Sequence, residues 1–365
     1  MTDRWVLVLD APSGDACRRV GGLPLALRLA LDAQAGGAAG VVVAEGAEAA
    51  RPALDDARLR LPLLDSLPDD ARSVRVPASW VVHRALFRTL ADSRQIGGAR
   101  DLPREPFGMS VPWSFEPIDV TDAKSAERAE RALFTALRKP QDGWTSRWLN
   151  RYISLSISRW LVKTPLKPNQ VSIGILAIGL FGAWLATRGD YLGFAVGAFL
   201  FQMQSVLDGC DGEMSRVTYR GSHLGEWLDT IGDDLTNYAF FAGAAVGLYR
   251  STGHTLYLLA GSVIVFCGFL TSGIEYRYLI RIGSGDLLEY PLSQGASGEG
   301  GGMLSAIQPL FKRDTFVFLT FVAALVGLVG PMLIAFSLGA IGIFINVIAT
   351  ERRIAKRPRR PGSER

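Results

Sequence analysis

The sequence is poor in the residues that build redox and soft-metal sites. It has three cysteines and three histidines in 365 residues. Cys17, Cys210 and Cys267 lie far apart with no CxxC spacing, which argues against a disulfide framework. His83, His223 and His254 are scattered and set no zinc pattern, and His223 reads as a loop residue. Charge of one sign is also lacking. The formal net charge is +4, small for a nucleic-acid binder. No leader is expected, because Asp3 and Arg4 precede only a short WVLVL run that reads as a strand.

What is present is unevenly spread. Residues 1–165 carry charges throughout, as a soluble domain does, whereas 170–350 hold long apolar runs broken by short polar stretches. The mean hydropathy of +0.20 averages these two regimes. WVLVL at 5–9 and VVVA at 41–44 are β-rich, and Leu25, Leu29 and Ala33 between them keep helical spacing, so a small α/β unit is expected. A second such stretch, 74–90, is weaker. Residues 122–138 read as an Ala-rich helix with Asp122 as N-cap, ended by Pro140 and Gly143. The expected division is therefore a soluble α/β domain at 1–120, a linker helix at 121–144 and a membrane domain at 145–365.

The membrane domain opens with 145–163, where Trp148, Tyr152 and Trp160 alternate with Arg147, Arg151, Arg159 and Lys163. That mixture suits a helix lying at the membrane–water interface; an amphipathic helix of a soluble domain is the plainer alternative. Six spans are expected near 170–187, 190–208, 224–249, 254–276, 315–330 and 331–350, each close to the ~17–25 residues that a bilayer core needs. Lys163, Lys167, Arg216, Arg220, Arg277, Arg281, Lys312, Arg313 and the basic tail from Glu351 alternate with loops carrying chiefly Arg188, Asp190 and Arg250. By the positive-inside rule both termini face the cytoplasm, at the inner membrane. The fold class is thus an α-helical polytopic membrane protein, with six transmembrane helices plus an interfacial helix, behind a small N-terminal α/β domain. The Gly-rich segment Ser293–Gly302 reads as a flexible loop rather than a phosphate cradle, because no lysine follows it and no strand precedes it.

The chemistry concentrates in LDGCDGEMSRVTYRGSHLGEWLDTIGDD, Leu207–Asp234. Asp208 and Asp211 stand three residues apart, Asp229 and Asp233 four apart, so on helices each pair shares a face. Carboxylates at a membrane boundary are costly unless neutralised. Only Arg216 and Arg220 are close in sequence, so a divalent cation is the natural partner, and all-oxygen ligation favours Mg²⁺ or Mn²⁺, with Ca²⁺ as competitor. Gly212 and Gly225 either let a ligand approach the backbone or let helices pack closely. Glu213 and Asp234 read as supporting or solvated acids.

This stretch resembles the signature of the CDP-alcohol phosphatidyltransferase family: Asp208, Asp211, Gly212, Arg216, Gly225, Asp229 and Asp233 stand at its spacings, with Ser215 where the family usually has Ala. TPLKPNQVS, Thr164–Ser172, resembles the segment that opens the family's first transmembrane helix. KPQDGWTSRWLNRYISLSISR, from Lys139, resembles the branch that carries a nucleotidyltransferase-like domain in front, best known from di-myo-inositol-phosphate-phosphate synthases. The resemblance implies that Asp208, Asp211, Asp229 and Asp233 hold divalent metal, two ions in all. It also implies that Asp233 is the catalytic base and that Gly212, Ser215, Arg216 and Gly225 line the CDP pocket. The implied activity is transfer of a phosphate-linked alcohol, or a phosphatidyl group as in phospholipid biosynthesis, from a CDP-alcohol to a hydroxyl acceptor with release of CMP. Homodimers are the family's tendency. Arg277, Arg281, Lys312 and Arg313 are candidates for holding a phosphorylated acceptor such as an inositol phosphate, against the alternative of ordinary topological anchoring.

Gly21–Ala44 resembles part of a sugar nucleotidyltransferase. Asp10–Val20, however, lacks that fold's Gly-rich triphosphate loop, so a degenerate, non-catalytic front domain is expected. The alternative function is an ion-coupled transporter using the intramembrane acids, against which stand the clustering of those acids at one face and the lack of a visible inverted repeat.

Overall fold

The computed structural model describes residues 5–68, 71–83, 85–87, 115–138, 150–291 and 313–356. Its contacts divide the chain into two units. One comprises Met1–Lys139, Leu155–Leu166 and Glu213–Arg220, the other Pro140–Ser154, Lys167–Gly212 and Gly221–Arg365.

The first unit is built on strand β1 (Trp5–Asp10), the short antiparallel pair β2 (Arg19–Val20) and β3 (Leu23–Pro24), helix α1 (Leu25–Ala35) and strand β4 (Gly40–Val43). After the short helix α2 (Arg51–Leu54) come β5 (Leu63–Leu64), β6 (Arg72–Pro77), β7 (Trp80–Val81) and β8 (Ile118–Asp119). The main sheet is parallel, in the order β5-β4-β1-β6. Both faces of β1 are buried, which is why its sequence is a continuous apolar run. Trp5, Leu7 and Leu9 pack with Ala26, Leu29 and Ala33 of α1, and Val6 and Val8 pack with Val42 on the other face. The strand–helix–strand read from the sequence is therefore present.

Helix α3 (Ala123–Thr135) begins as expected at Asp122, whose carboxylate accepts from the Ser125 N–H at 2.7 Å while the Ser125 hydroxyl accepts from the Asp122 N–H at 3.0 Å. The next helix, α4 (Arg151–Leu161), leaves Tyr152 and Trp160 exposed. Arg147 and Trp148 of the expected interfacial helix lie outside the described residues, as do the Gly-rich segment and the end of the basic tail.

The second unit is helical. It holds α5 (Pro168–Ala186) and α6 (Tyr191–Leu207), the start of α7 (Gly209–Thr218), then α8 (His223–Thr252), α9 (Thr255–Ile282), α10 (Arg313–Leu325) and α11 (Val329–Lys356). Pro168 sits at the first turn of α5, where its missing N–H costs nothing. Ser222 caps α8, so His223 is helical rather than a loop residue. Small residues set the spacing of α5 and α8: a Cβ on Gly247 would lie 2.1 Å from the Ala186 carbonyl oxygen. Phe201 stacks on Phe240 at 4.5 Å between ring centroids in the interior. Phe181, Trp184, Phe266, Phe269 and Leu338 point outward, more than half exposed, an apolar exterior that suits lipid. Among the described residues three helices are long and apolar enough to cross a membrane: Pro168–Ala186, Thr255–Ile282 and Val329–Arg352. The expected segments at 190–208, 224–249 and 315–330 are also helical; α8 is broken in apolarity by its acids.

Candidate metal and transfer site

Asp208 ends α6, Asp211 lies on α7, and Asp229 and Asp233 lie one turn apart on α8. The two pairs, separated in sequence by the α7–α8 connection, line one small cavity of about 10 Å³, the room that one water or bare cation takes. One carboxylate oxygen from each of Asp208, Asp229 and Asp233 lies within 4.8 Å of the others. Asp211 lines the same cavity but is turned to other partners: its carboxylate accepts from the Ser172 hydroxyl and, at 2.6 Å, from the Gly212 N–H.

Arginine already balances part of this charge. Arg313, at the start of α10, lies 3.2 Å from Asp208 and 2.8 Å from Asp233, and donates to the Gln204 Oε1 at 2.7 Å. Gln204 in turn points its Nε2 to Asp233 at 3.4 Å. Sequence distance hid this partner. Arg216 and Arg220 are the cations close in sequence, and Arg313, about a hundred residues away in the chain, adds a partner that sequence proximity does not report. Gln204 could have been found as the residue one turn before Asp208 on the same helix face, and Ser172 as the polar residue one turn inside α5.

The remaining expected residues fall as follows. Ser215 and Arg216 are half-buried on α7, one turn beyond Asp211 and Gly212. Gly225 sits in the first turn of α8, where a Cβ would stand 3.0 Å from Asn169 Oδ1. Arg277 and Arg281 are exposed on the last turns of α9 and make no ion pair among the described residues. Lys312 lies outside the described residues. Glu213 is not solvated: it is fully buried, and its carboxylate accepts from Ser158 at 2.7 Å. Asp234 faces α9, accepting from Tyr276 at 2.6 Å and Ser272 at 2.5 Å.

The donor set fits a hard divalent cation. It is all oxygen, gathered from two helices around a space of ionic size, and among the described residues no histidine or cysteine joins it.

A family model described as CDP-alcohol phosphatidyltransferase matches residues 166–350, half of the chain and the whole of this constellation. The chain belongs to that family. Curated relatives agree on the branch. The chain is 36% identical over 152 residues to a bifunctional IPC transferase and DIPP synthase of Aquifex aeolicus, covering 40% of this chain and 34% of that protein. A protein of the same description from Archaeoglobus fulgidus is 34% identical over 149 residues, 40% of this chain and 29% of the relative. One from Thermococcus kodakarensis is 37% identical over 125 residues, 34% of this chain and 28% of the relative. The match spans about a third of the length of these relatives.

Proposed function

We propose that this CDP-alcohol phosphatidyltransferase family member transfers a phosphate-linked alcohol from a CDP-alcohol to a hydroxyl acceptor, an inositol phosphate, and releases CMP. The observation that carries the reading is the Asp208–Asp229–Asp233 cluster closed to within 4.8 Å inside the family region. A CDP-alcohol brings a pyrophosphate whose negative charge must be met as CMP leaves. Divalent metal held by Asp208, Asp211, Asp229 and Asp233, as Mg²⁺ or Mn²⁺ and two ions in all, supplies that neutralisation when bound.

The chain's own side chains do the rest. Ser172 and the Gly212 N–H fix the Asp211 carboxylate, and Gln204 orients both Arg313 and Asp233. Asp233 takes the proton of the attacking hydroxyl, and a carboxylate held within hydrogen-bond reach is suited to that task. Gly212, Ser215, Arg216 and Gly225 line the CDP moiety. Arg313, already turned to the acids, is the strongest of the acceptor-phosphate candidates; Arg277, Arg281 and Lys312 complete that basic set.

The wider reading follows the same line. Residues 1–120 form a degenerate nucleotidyltransferase-like domain, 121–144 a linker helix and 145–365 the transferase domain. The latter has an interfacial helix and six spans in the inner membrane, both termini cytoplasmic, and it pairs as a homodimer. The apolar exterior and three long apolar helices support the membrane assignment. The test is CMP release from a panel of soluble and lipidic CDP-alcohols with phosphorylated and plain acceptors, in Mg²⁺ and in EDTA. Metal-dependent release that needs one particular pair supports the proposal and names the substrates. A folded protein that releases no CMP across the panel refutes it.

A further inference from the structure

Within the first unit lies a second cavity, of about 740 Å³, which shares no residue with the aspartate site. Its volume falls in the range that holds small ligands. Five separate chain segments wall it, and they bring four cations (Arg19, Arg58, Lys163 and Arg220) against one carboxylate, Glu130.

The charges are not equivalent. Glu130 is already met by Lys163 at 3.0 Å and by Arg159 at 3.5 Å. Arg58 is held by a two-pronged pair with Asp56, both contacts at 2.6 Å, and the neighbouring guanidinium holds Asp56 down at about 2. Arg19 and Arg220 form no salt bridge among the described residues: Arg19 donates only to the Gly22 carbonyl at 3.4 Å, Arg220 acts on Asp56 only as a nearby charge, and both are exposed at the cavity. Two guanidinium groups thus remain to receive an anion in a pocket whose other charges are settled.

The wall carrying Arg220 is anchored. The Tyr219 hydroxyl donates to Asp32 of α1, and Tyr219 has a left-handed conformation (φ 54°) that is uncommon for a residue with a side chain. Arg58 donates to the Thr218 carbonyl at 2.8 Å. This geometry fixes the backbone beside Arg220 rather than leaving the arginine on a free loop.

We infer that this cavity binds a phosphate-bearing anion, held between Arg19 and Arg220 with Arg58 and Lys163 as the surrounding positive field. Guanidinium forks match phosphate oxygens two at a time, and phosphate is the anion that best rewards two such forks in one pocket. The ligand is either a free phosphorylated metabolite or the phosphate of a lipid headgroup. The inference does not depend on the proposed transfer reaction.

Isothermal titration of the full chain in phosphatidylcholine nanodiscs, with EDTA present, distinguishes these sources. The probes are inorganic pyrophosphate and dihexanoylphosphatidic acid kept below micelle formation. At least one binds, with affinity about tenfold or more weaker in the double variant Arg19→Gln/Arg220→Gln. The double variant Arg19→Lys/Arg220→Lys, which keeps the charge but not the forks, binds more weakly than wild type and more tightly than the glutamine variant, which separates loss of charge from loss of fold, and Asp233→Asn leaves the binding unchanged. Binding of both probes assigns a free phosphate ligand; binding of phosphatidic acid alone assigns a headgroup. The inference is overturned if wild-type protein binds neither probe, if the glutamine variant binds as wild type does, or if Asp233→Asn abolishes the binding.

Discussion

Replacing Arg313 by glutamine tests whether the aspartate cluster is as electrostatically tense as its geometry implies. Arg313 is 21% exposed and faces Asp208 at 25% and Asp233 at 20%, so both pairs are mostly withdrawn from water. Removing one member of a fully buried pair costs ~3–5 kcal/mol, because the remaining charge is left unmet. Partial exposure here reduces the figure to roughly 1–3 kcal/mol. In EDTA the variant should therefore unfold several degrees below wild type, at about 2–4 °C per kcal/mol for a domain of this size. Saturating Mg²⁺ should narrow the gap, because a cation bound only to the folded acids stabilises the variant by mass action and takes over the neutralisation. The assay is thermal unfolding of both proteins in the same nanodiscs, in EDTA and across a Mg²⁺ titration. If the variant melts with wild type in EDTA, or if the gap ignores Mg²⁺, the acids do not need the neutralisation argued for them.

Three further outcomes follow from particular contacts. Gly225→Leu should raise the KM for the CDP-alcohol by about tenfold or more with the fold retained, since even a Cβ there meets Asn169 Oδ1 at 3.0 Å; steady-state kinetics read it. Gly247→Leu should sharply reduce the yield of folded protein, because its Cβ would lie 2.1 Å from the Ala186 carbonyl oxygen with only backbone to give way; size-exclusion profiles after solubilisation show it. Asp56 has a folded pKa of about 2 against the usual 3.8, owing to its hydrogen bonds from Arg58. Being depressed, it contributes stability that is present above pH 3.8 and lost as pH falls towards 2, so Asp56→Asn should flatten that acid limb; hydrogen exchange of the β1 and β4 peptides measures it.

Much of this molecule was legible in its residues, and the exceptions share a physical cause. The WVLVL strand, the α1 spacing and the Asp122 cap are local signals, fixed by neighbours in sequence, and each appears in the structure. The aspartate pairs were legible because helical periodicity alone puts Asp229 and Asp233 on one face. Arg313 was read as one of four basic candidates at the membrane edge, but not as the partner of Asp208 and Asp233, because that pairing depends on the tertiary meeting of α6, α8 and α10. For Glu213 the sequence leaves a supporting and a solvated role open, and the structure excludes the solvated one. Its burial against Ser158 reflects the contact of two segments more than fifty residues apart, which no local pattern reports. Asp234 was expected to leave the face of Asp233, as adjacent helix positions must, but its hydrogen bonds to Ser272 and Tyr276 depend on α9.

The most direct test of the account is Mg²⁺-dependent CMP release by wild type and by Asp233→Asn, compared at equal folded concentration. The account predicts that wild type releases CMP only when metal and a hydroxyl acceptor are both present. It also predicts that Asp233→Asn, which keeps the shape of the side chain but not its charge, loses the activity by about a hundredfold or more. An Asp233→Asn enzyme that releases CMP at the wild-type rate would contradict the assignment of this cluster as the site of transfer.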